Sequence, residues 1–306
     1  MRVLIIGYGS IGKRHYEILG SFESIESIDV VSRQNLQNIK TFKELSDIKN
    51  LDSYDYFIIS SETARHYREL KYICSKVENK KILVEKPLYD KKQTDIKTNN
   101  RIFVAYNLRF HPIIERLKEI LSSKEVYYAN IICGQYLPTW RPTQDYRDSY
   151  SSDINRGGGV LRDLSHELDY INLLFGDITK IDSINTKISD LEINSDDIFT
   201  AIATTTDRVI VNLTLDYISK TPIRRILIHT KDSTIEADLI ANTLVIYNKM
   251  GEREEIKIEP FSRDYTYQKM HRLIVENQSE ALCSFVEGGR VMEIIDGVEC
   301  CFFGER

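Results

Sequence analysis

Short apolar segments alternate with amphipathic segments through the first third of the chain. The apolar segments, rich in Val, Ile, Phe and Tyr, cover residues 2–6, 27–31, 54–60, 81–85 and 101–106. The segments at 11–19, 42–49 and 63–77 carry apolar residues at helical spacing. Strands separated by helices are typical of parallel βαβ units with right-handed crossovers. The pattern predicts an α/β domain with a parallel sheet over residues 1–108.

The pattern changes after residue 108. A helix is predicted at 113–121 and a strand at 125–135, followed by a polar, aromatic stretch over 136–155 and a helix at 161–175. Closely spaced strands joined by short turns, from residue 180 to 258, predict an antiparallel sheet. Further helices are predicted at 265–276 and from 281 toward 295. Residues 109–306 are therefore expected to form an α+β domain with an open, mostly antiparallel sheet.

The open sheet has two faces, and helices must cover one of them. If the other face carries apolar residues such as Ile210, Leu213 and Leu215, it needs a partner surface. We therefore expect a homodimer or homotetramer that associates through this sheet, so that the second domain serves both substrate binding and oligomerisation.

Composition narrows the function classes. The net charge is −5 and apolar residues make up 42% of the 306 residues, so neither nucleic acid nor a membrane surface is an expected partner. No segment approaches the roughly 18 apolar residues of a membrane-spanning helix, and the chain enters a strand at once, which argues against a signal peptide. The five cysteines lack metal-ligand spacing. We expect reduced thiols, a cytoplasmic location and no metal site.

The first strand runs directly into a glycine-rich turn and then a helix. The turn is Gly7-Tyr8-Gly9-Ser10-Ile11-Gly12. In this pattern the first glycine allows the tight turn, the second lets backbone N–H groups approach a pyrophosphate, and the third lets the helix pack on the sheet. The helix N-terminus adds free N–H groups and partial positive charge. The turn predicts a Rossmann domain with these six residues at a dinucleotide, and a purely structural turn is the alternative.

Ligands of parallel sheets bind beyond the carboxyl ends of the strands. This rule assigns further residues to the cofactor, namely Ser32, Arg33, Ser60, His66 and Glu85. An acidic residue at the end of the second strand would bind the ribose hydroxyls of NAD, but Ser32 and Arg33 stand there and suit a 2′-phosphate. The expected cofactor is NADP or NAD, with NADP favoured; the alternative for Arg33 is a solvated surface side chain.

Lys86 follows a buried-type strand, beside Glu85 and before Pro87. At that strand end its ammonium would point at whatever lies over the nicotinamide, where it can hydrogen-bond a substrate hydroxyl and help to move its proton. Glu85 would orient or tune it. The alternative is a surface lysine that precedes a turn-forming proline.

The predicted helix at 161–175 carries Asp163 and His166 three residues apart, so they share one face, which Tyr170 continues. A histidine beside a carboxylate suits general acid/base catalysis near neutral pH. Glycines at 157–159 let the backbone pass close to a ligand or another chain. Alternatively, Asp163 only occupies the first helical turn and His166 is a core histidine.

Residues 140–151 are dense in side chains that stack and hydrogen-bond. Candidate substrate-binding residues from this segment and from residues 107–111 are Asn107, Arg109, Trp140, Arg141, Tyr146, Arg147, Tyr150 and, from the helix, Tyr170. Such a set suits a polar or anionic substrate. A subunit-contact arm is the alternative for residues 140–151.

Five motifs, in order, resemble those of the glucose-fructose oxidoreductase/inositol dehydrogenase (Gfo/Idh/MocA) family. They are GYGSIGKRH, SSETARHYREL, ILVEKPL, AYNLRFHP and GGGVLRDLSHELDY. The family's catalytic lysine matches Lys86, and its Asp and His match Asp163 and His166, although many members have these two residues four positions apart. The HELDY continuation and the W-R-P…D-Y-R…Y-S segment resemble a branch associated with sugar and sugar-nucleotide genes for surface polysaccharides.

The resemblance implies an NAD(P)-dependent oxidoreductase that moves a hydride between nicotinamide and a hydroxyl or keto carbon of a sugar, sugar nucleotide or cyclic polyol. His166 would take the hydroxyl proton, Lys86 would bond the reacting oxygen, and Asp163 would position the substrate or the imidazole. Some members are non-catalytic regulators, and the retention of Lys86, Asp163 and His166 argues against that role. A reductase of the linear-tetrapyrrole or trans-dihydrodiol type is a third alternative.

Overall fold

Strands and helices alternate along the first hundred residues of the computed structural model, which describes residues 1–303 except 92, 95 and 143, with side chains to residue 299. The elements in chain order are β1 Arg2–Ile6, α1 Ser10–Leu19, β2 Ser27–Val31, β3 Thr41–Phe42, β4 Tyr56–Ile59, α2 Thr63–Cys74, β5 Lys81–Val84 and β6 Arg101–Val104. The helix predicted at 42–49 is wrong. Its apolar face is weak, and the backbone instead pairs β3 with β2 before a 3-10 turn at Leu45–Asp47.

The middle of the chain contains short helices followed by a series of strands. They are α3 Pro112–Leu121, β7 Val126–Gly134, α4 Leu137–Trp140, α5 Val160–Asp163, α6 His166–Phe175, β8 Ile178–Thr186, β9 Ile198–Thr205, β10 Ile210–Asp216, β11 Ile223–Thr230, β12 Ser233–Asp238, β13 Thr243–Asn248 and β14 Arg253–Lys257. Pro112 lies in the first turn of α3, where its missing N–H costs no helical hydrogen bond.

The last elements are α7 Tyr265–Val275, β15 Cys283–Ser284 and α8 Phe285–Phe303. The helix predicted from residue 281 begins at Phe285, because Cys283 and Ser284 pair with β6. One compact unit comprises residues 1–107 and 262–293, and the other comprises 108–261 with the described residues after 293. Residues 262–293 belong to the first unit although they follow the domain boundary predicted at residue 108. They do so because β15 extends the first sheet and α7 packs on α1.

Among the described residues of the first unit, seven strands form one sheet, in the order β15-β6-β5-β4-β1-β2-β3. The pairs from β6 to β3 are parallel and β15 is antiparallel to β6. Strand β1 has Val3, Leu4 and Ile5 fully buried, as expected for a strand covered on both faces. The prediction of a parallel, Rossmann-type sheet is confirmed.

The sheet of the second unit has eight strands among the described residues, in the order β14-β13-β12-β11-β7-β10-β9-β8. Only the β7–β10 pair of this order is parallel. Helices α5 and α6 pack on its central strands. The predicted open, mostly antiparallel sheet is confirmed.

The side chains of β10 divide between the two faces of that sheet. Leu213 and Leu215 are buried, whereas Ile210 is 48% exposed, because side chains alternate faces along a strand. The prediction that Ile210 shares a face with Leu213 and Leu215 is therefore wrong. It lies on the open face together with Ile202 of β9 and Ile184 of β8.

The described part of the chain contains no helix that combines the length and the hydropathy of a membrane span.

Candidate active site

The turn after β1 is shaped by close backbone contacts that only glycine permits. Gly7 has φ +95°, and a Cβ atom there would lie 2.6 Å from the Ser61 nitrogen. A Cβ atom on Gly12 would lie 2.1 Å from the Gly7 carbonyl oxygen. The chain therefore leaves β1, turns sharply and enters α1 with the helix against the turn.

Gly9, in contrast, borders open space, because a Cβ atom there would meet no protein atom within 4 Å. It is the N-cap residue of α1, and no side chain caps the helix, which begins at Ser10. The N–H groups of the first turn are thus available to an anion. This open cradle fits the pyrophosphate of a dinucleotide, and Tyr8, Ser10 and Ile11 lie in the same turn.

Ser60 and Ser61 follow β4 and border the glycine turn. The Ser60 hydroxyl donates to the carbonyl oxygens of Ile6 and Gly7, at 3.2 and 3.0 Å. Ser60, predicted at the cofactor, thus ties the end of β4 to the turn after β1.

The loop after β2 contains the predicted Ser32 and Arg33, and it contacts Lys43, a residue after β3 that sequence reasoning missed. Ser32 is buried and its hydroxyl accepts from the Gln34 backbone N–H at 3.1 Å, while the Gln34 amide donates to the Tyr8 carbonyl at 3.0 Å. Arg33 is exposed, with Glu44 at 3.6 Å. The Lys43 ammonium donates to the Arg33 carbonyl at 3.0 Å. Lys43 reaches this loop because β3 pairs with β2. The helix predicted at 42–49 did not indicate this contact.

The segment that carries Lys86 is anchored on both sides by buried side chains. Glu85 is 2.9 Å from Nε2 of His15. His66, predicted at the cofactor, has Nδ1 at 3.2 Å from the Pro87 carbonyl oxygen and Nε2 at 3.1 Å from that of Ser61. Burial lowers the pKa of His66, which favours a neutral ring, and a neutral ring donates to one of these two carbonyl oxygens. Lys86 itself is partly exposed at the carboxyl end of β5.

Asp163 of the second unit is held by a tyrosine that the sequence argument missed. The Tyr217 hydroxyl donates to Oδ2 of Asp163 at 2.6 Å, and both side chains are buried. Burial, followed by the charge of Asp163, raises the pKa of Tyr217, so the hydroxyl keeps its proton. Tyr217 directly follows β10, and this position at a strand's carboxyl end was the available indication.

Asp163 and His166 do not lie on one continuous helix. Asp163 ends α5 and His166 begins α6, and the N–H groups of Ser165 and Glu167 bond carbonyl oxygens three residues earlier, not four. This tighter turn changes the rotation between the two side chains. The single helix predicted at 161–175 is therefore divided in two. Side chains three positions apart eclipse in a turn with such hydrogen bonds, so the shared face of Asp163 and His166 stays a prediction.

The glycines before α5 pack against the chain itself. A Cβ atom on Gly158 would lie 2.1 Å from the Tyr150 carbonyl oxygen, and one on Gly159, with φ +118°, would lie 2.1 Å from Oδ1 of Asp196. Asp196 accepts from the Leu161 backbone N–H at 3.0 Å, and burial raises its pKa to about 7. The close approach expected for a ligand or another chain is thus made by residues of the same unit.

Two aromatic side chains lie beside Arg141. Its guanidinium lies 5.0 Å from the centre of the Tyr150 ring and 5.7 Å from that of Trp140, and it donates to the Tyr150 hydroxyl at 3.4 Å. The Trp140 ring lies 5.8 Å from that of Tyr217. A shallow pocket is lined by Leu137, Trp140, Arg141, Gln144, Tyr146 and Ser149. Three predicted substrate residues therefore adjoin the Asp163–Tyr217 pair.

The side chains of Arg147 and Tyr146 have polar partners within the second unit. The Arg147 guanidinium contacts Asp145 at 2.6 Å and Glu192 at 2.9 Å. The Tyr146 hydroxyl accepts from the Glu192 backbone N–H at 3.3 Å. These contacts join the segment to the loop after β8.

Arg109 and Tyr170 are enclosed by protein, which does not support the predicted substrate contact. The Arg109 guanidinium forms a bidentate pair with Asp169, at 2.7–3.1 Å, and both residues are buried. Tyr170 is fully buried, with its hydroxyl 3.4 Å from Glu167. In the first unit, the Asn107 amide donates to the Thr266 hydroxyl at 2.6 Å. Buried polar residues need such partners, and the substrate roles of these three residues stay a prediction.

Two family models match consecutive parts of the chain. Residues 1–112 match a model described as the oxidoreductase family with an NAD-binding Rossmann fold, and residues 114–236 match the GFO/IDH/MocA C-terminal domain. A search of curated proteins found no match.

Several solved structures share the fold over nearly the whole chain. UDP-N-acetylglucosamine 3-dehydrogenase GnnA from Acidithiobacillus ferrooxidans is 18% identical, with a TM-score of 0.77 and coverage of 98% of this chain and 97% of GnnA. The WlbA dehydrogenase from Bordetella pertussis, in complex with NADH and UDP-GlcNAcA, is 14% identical, with a TM-score of 0.75 and coverage of 100% and 97%. Levoglucosan dehydrogenase, in complex with NADH and levoglucosan, is 13% identical, with a TM-score of 0.83 and coverage of 98% and 96%.

Proposed function

Because the chain belongs to the Gfo/Idh/MocA family of oxidoreductases, we propose that it is a dehydrogenase of sugars, with sugar nucleotides as the favoured class. The observation that carries the proposal is the cradle at Gly9, combined with Lys86 at the carboxyl end of a strand in the same sheet. Structures of the same fold include dehydrogenases whose names specify UDP-sugars and levoglucosan.

In this proposal each candidate group has a separate role. When bound, the nicotinamide supplies the hydride acceptor or donor. Lys86 donates a hydrogen bond to the reacting oxygen and stabilises its developing charge. An imidazole nitrogen of His166 takes the hydroxyl proton during oxidation and returns it during reduction. Asp163, fixed by Tyr217, orients the substrate or the imidazole.

The side chains near Asp163 favour a substrate with both a ring and an anionic group. Trp140 and Tyr150 offer faces on which a sugar or base can stack, and Arg141 offers a cation suited to phosphate. A sugar nucleotide has both features, whereas a free sugar lacks the anion.

The loop after β2 supports a preference for NADP over NAD. Ser32, Arg33 and Lys43 bring a hydroxyl and two cations to the place where the ribose of the adenosine is expected. Arg33→Ala should weaken NADPH binding by about tenfold, the loss of one charge-assisted contact, and leave NADH binding within about twofold. Equal weakening of both, in fluorescence titrations, would contradict the preference.

The open face of the second sheet supports self-association. Ile184, Ile202 and Ile210 are 48–61% exposed on neighbouring strands, and large exposed apolar residues in one patch mark interaction surfaces. We propose a homodimer or homotetramer through this face. Sedimentation of Ile202→Asp should show a smaller species than wild type, while Ile240→Asp, at a comparably exposed isoleucine in the turn after β12, should not.

A cytoplasmic location is also proposed. Cys74, Cys133 and Cys283 are free thiols, as in proteins of reducing compartments. The side chains of Cys300 and Cys301 lie outside the described part of the chain. Fractionation of the source cells tests this proposal.

The function is tested with a panel of UDP-sugars, free sugars and cyclic polyols. Absorbance at 340 nm is followed with NAD⁺ and with NADP⁺, and thermal shifts report binding in parallel. We expect reduction of the dinucleotide by at least one UDP-sugar. Tight dinucleotide binding without redox change across the panel would instead favour a cofactor-binding regulator.

A further inference from the structure

A buried chain of hydrogen bonds runs through the first unit and ends beside Lys86. The Tyr56 hydroxyl lies 3.0 Å from Nδ1 of His271, and Nε2 of His271 lies 2.8 Å from Nδ1 of His15. Nε2 of His15 lies 2.9 Å from Oε1 of Glu85. The four residues come from β4, α7, α1 and the end of β5, and the first three named are fully buried.

The carboxylate at one end gives this chain a direction. An ionised carboxylate only accepts hydrogen bonds, so Nε2 of His15 carries a proton. Two neutral rings complete the chain in one way: Nδ1 of His15 accepts from Nε2–H of His271, and Nδ1 of His271 accepts from the Tyr56 hydroxyl. In that arrangement both rings are Nε2–H tautomers and every donor is directed toward Glu85.

The environment keeps the far end of the chain in one protonation state. Burial, and then the neighbouring His15, lower the pKa of His271 well below its usual value. Burial, and then the charge of Glu85, raise the pKa of Tyr56. Because Tyr56 has no contact with solvent, the chain acts as a fixed support and not as a proton path to water.

We propose that His15 and His271 are positioning residues that hold the Glu85 carboxylate in one orientation, so that it fixes the main chain at Lys86. Oε2 of Glu85 accepts from the Lys86 backbone N–H at 3.3 Å, while Nδ1 of the buried His66 lies 3.2 Å from the Pro87 carbonyl oxygen. The effect on catalysis rests on the proposed role of Lys86. The support itself does not, since it concerns only the conformation of residues 85–87.

The groups that interact electrostatically with Glu85 come from several elements. They are His15 of α1, Tyr56 of β4, His66 of α2 and Tyr267 of α7. His15 is the one within hydrogen-bond distance of a Glu85 oxygen. Among these groups, replacing His15 should therefore change the hydrogen bonding of the Glu85 carboxylate most.

The first experiment uses the full-length protein without added dinucleotide. ¹⁵N-histidine NMR at pH 7 reports which ring nitrogens carry protons. We expect the Nε2–H tautomer for both His15 and His271. An Nδ1–H tautomer of His15, or a ring protonated on both nitrogens, would overturn the proposed direction of the chain.

The second experiment replaces the donor to Glu85. His15→Leu should move the Lys86 backbone amide resonance and lower kcat by about tenfold or more with KM nearly unchanged. His15→Gln places an amide N–H near the Nε2 position and should restore most of the rate. In a Glu85→Gln background, His15→Leu should change kcat by less than about twofold, because positions that act together are not additive.

A milder matched pair covers the case in which His15→Leu does not fold. Tyr56→Phe removes the terminal donor of the chain, and Tyr54→Phe removes a buried hydroxyl that donates to Asp29 instead. The proposal expects a shifted Lys86 amide resonance in Tyr56→Phe and none in Tyr54→Phe. An unchanged resonance in both His15→Leu and Tyr56→Phe would overturn it. Absence of dehydrogenase activity would leave these NMR results intact, so failure of the proposed function is distinguishable.

Discussion

The two units position their candidate chemical groups in different ways. In the first unit the polar groups stand at the carboxyl ends of parallel strands, where backbone geometry brings Gly7–Gly12, Ser60 and Lys86 to one edge. In the second unit Asp163 is fixed by Tyr217, which lies 54 positions away in the chain. The first arrangement follows from local patterns, whereas the second depends on long-range side-chain contacts.

The contrast extends to the roles of glycine. The space beside Gly9 is open, as a ligand cradle requires. The space beside Gly158 and Gly159 is occupied by Tyr150 and Asp196. Glycine-rich segments of similar appearance therefore leave open space in one unit and allow close packing in the other. Substitutions that separate binding from folding can test this difference.

Lys86→Ala should have the largest effect. Removing the proposed donor to the reacting oxygen should lower kcat by about 10²–10⁴-fold, with dinucleotide affinity within a few-fold of wild type. Steady-state and single-turnover kinetics measure this, with the exposed Lys76→Ala as a control of the same chemical change. Unaltered turnover in Lys86→Ala would remove the first unit's proposed contribution to catalysis.

Gly9→Ala and Gly12→Ala should separate the ligand cradle from the packing of the turn. Both should weaken NADPH binding by about tenfold or more, but only Gly12→Ala should lower the melting temperature strongly, because its Cβ would meet the Gly7 carbonyl. Gly289→Ala, whose Cβ meets no atom within 4 Å, is the control. Equal loss of stability in the two turn variants would show that Gly9 is structural as well.

Tyr217→Phe tests the long-range support of the second unit. Loss of the donor to Asp163 should lower kcat by about tenfold while the protein remains folded, since the ring and its packing are kept. Tyr54→Phe removes a comparable hydroxyl–carboxylate contact in the first unit and should leave kcat unchanged. A similar loss in both variants would point to general destabilisation and not to a role at Asp163.

Asp196→Asn should change the pH dependence of stability without a large change in rate. Burial raises the pKa of Asp196 to about 7 in the folded protein, above the ~3.9 of an unfolded chain. This group therefore contributes stability that is complete below about pH 4 and is lost as the pH rises through about 7, by at most about 4 kcal/mol.

Urea titrations between pH 5 and 8 measure this slope. Wild type should become less stable with rising pH, and Asp196→Asn should show a shallower slope. The exposed Asp232→Asn is the control. Parallel slopes for wild type and Asp196→Asn would contradict the buried-carboxyl assignment.

Local pattern was sufficient for the fold class and the glycine turn. Apolar runs and a G-x-G-x-x-G spacing are encoded by neighbouring residues, and so is the position of Lys86 after β5. The error at 42–49 arose because a two-residue strand is stabilised by its pairing with β2 and not by its own sequence.

The remaining site residues depend on tertiary contacts that spacing does not reveal. His15 meets His271 across 256 positions, and Arg109 meets Asp169 across 60. A polar residue in a motif can thus be a buried partner instead of a ligand contact. Arg109 and Tyr170 illustrate this, because their burial was invisible in the sequence.

Direct transfer of hydrogen from a sugar carbon to the dinucleotide tests the central claim most directly. The protein is incubated with NADP⁺, and separately NAD⁺, and UDP-sugars deuterated at the sugar carbons, and the mass of the reduced dinucleotide is measured. We predict that the reduced dinucleotide gains one deuterium, and that Lys86→Ala suppresses this gain. Bound dinucleotide that remains oxidised and free of deuterium with every UDP-sugar would contradict the account.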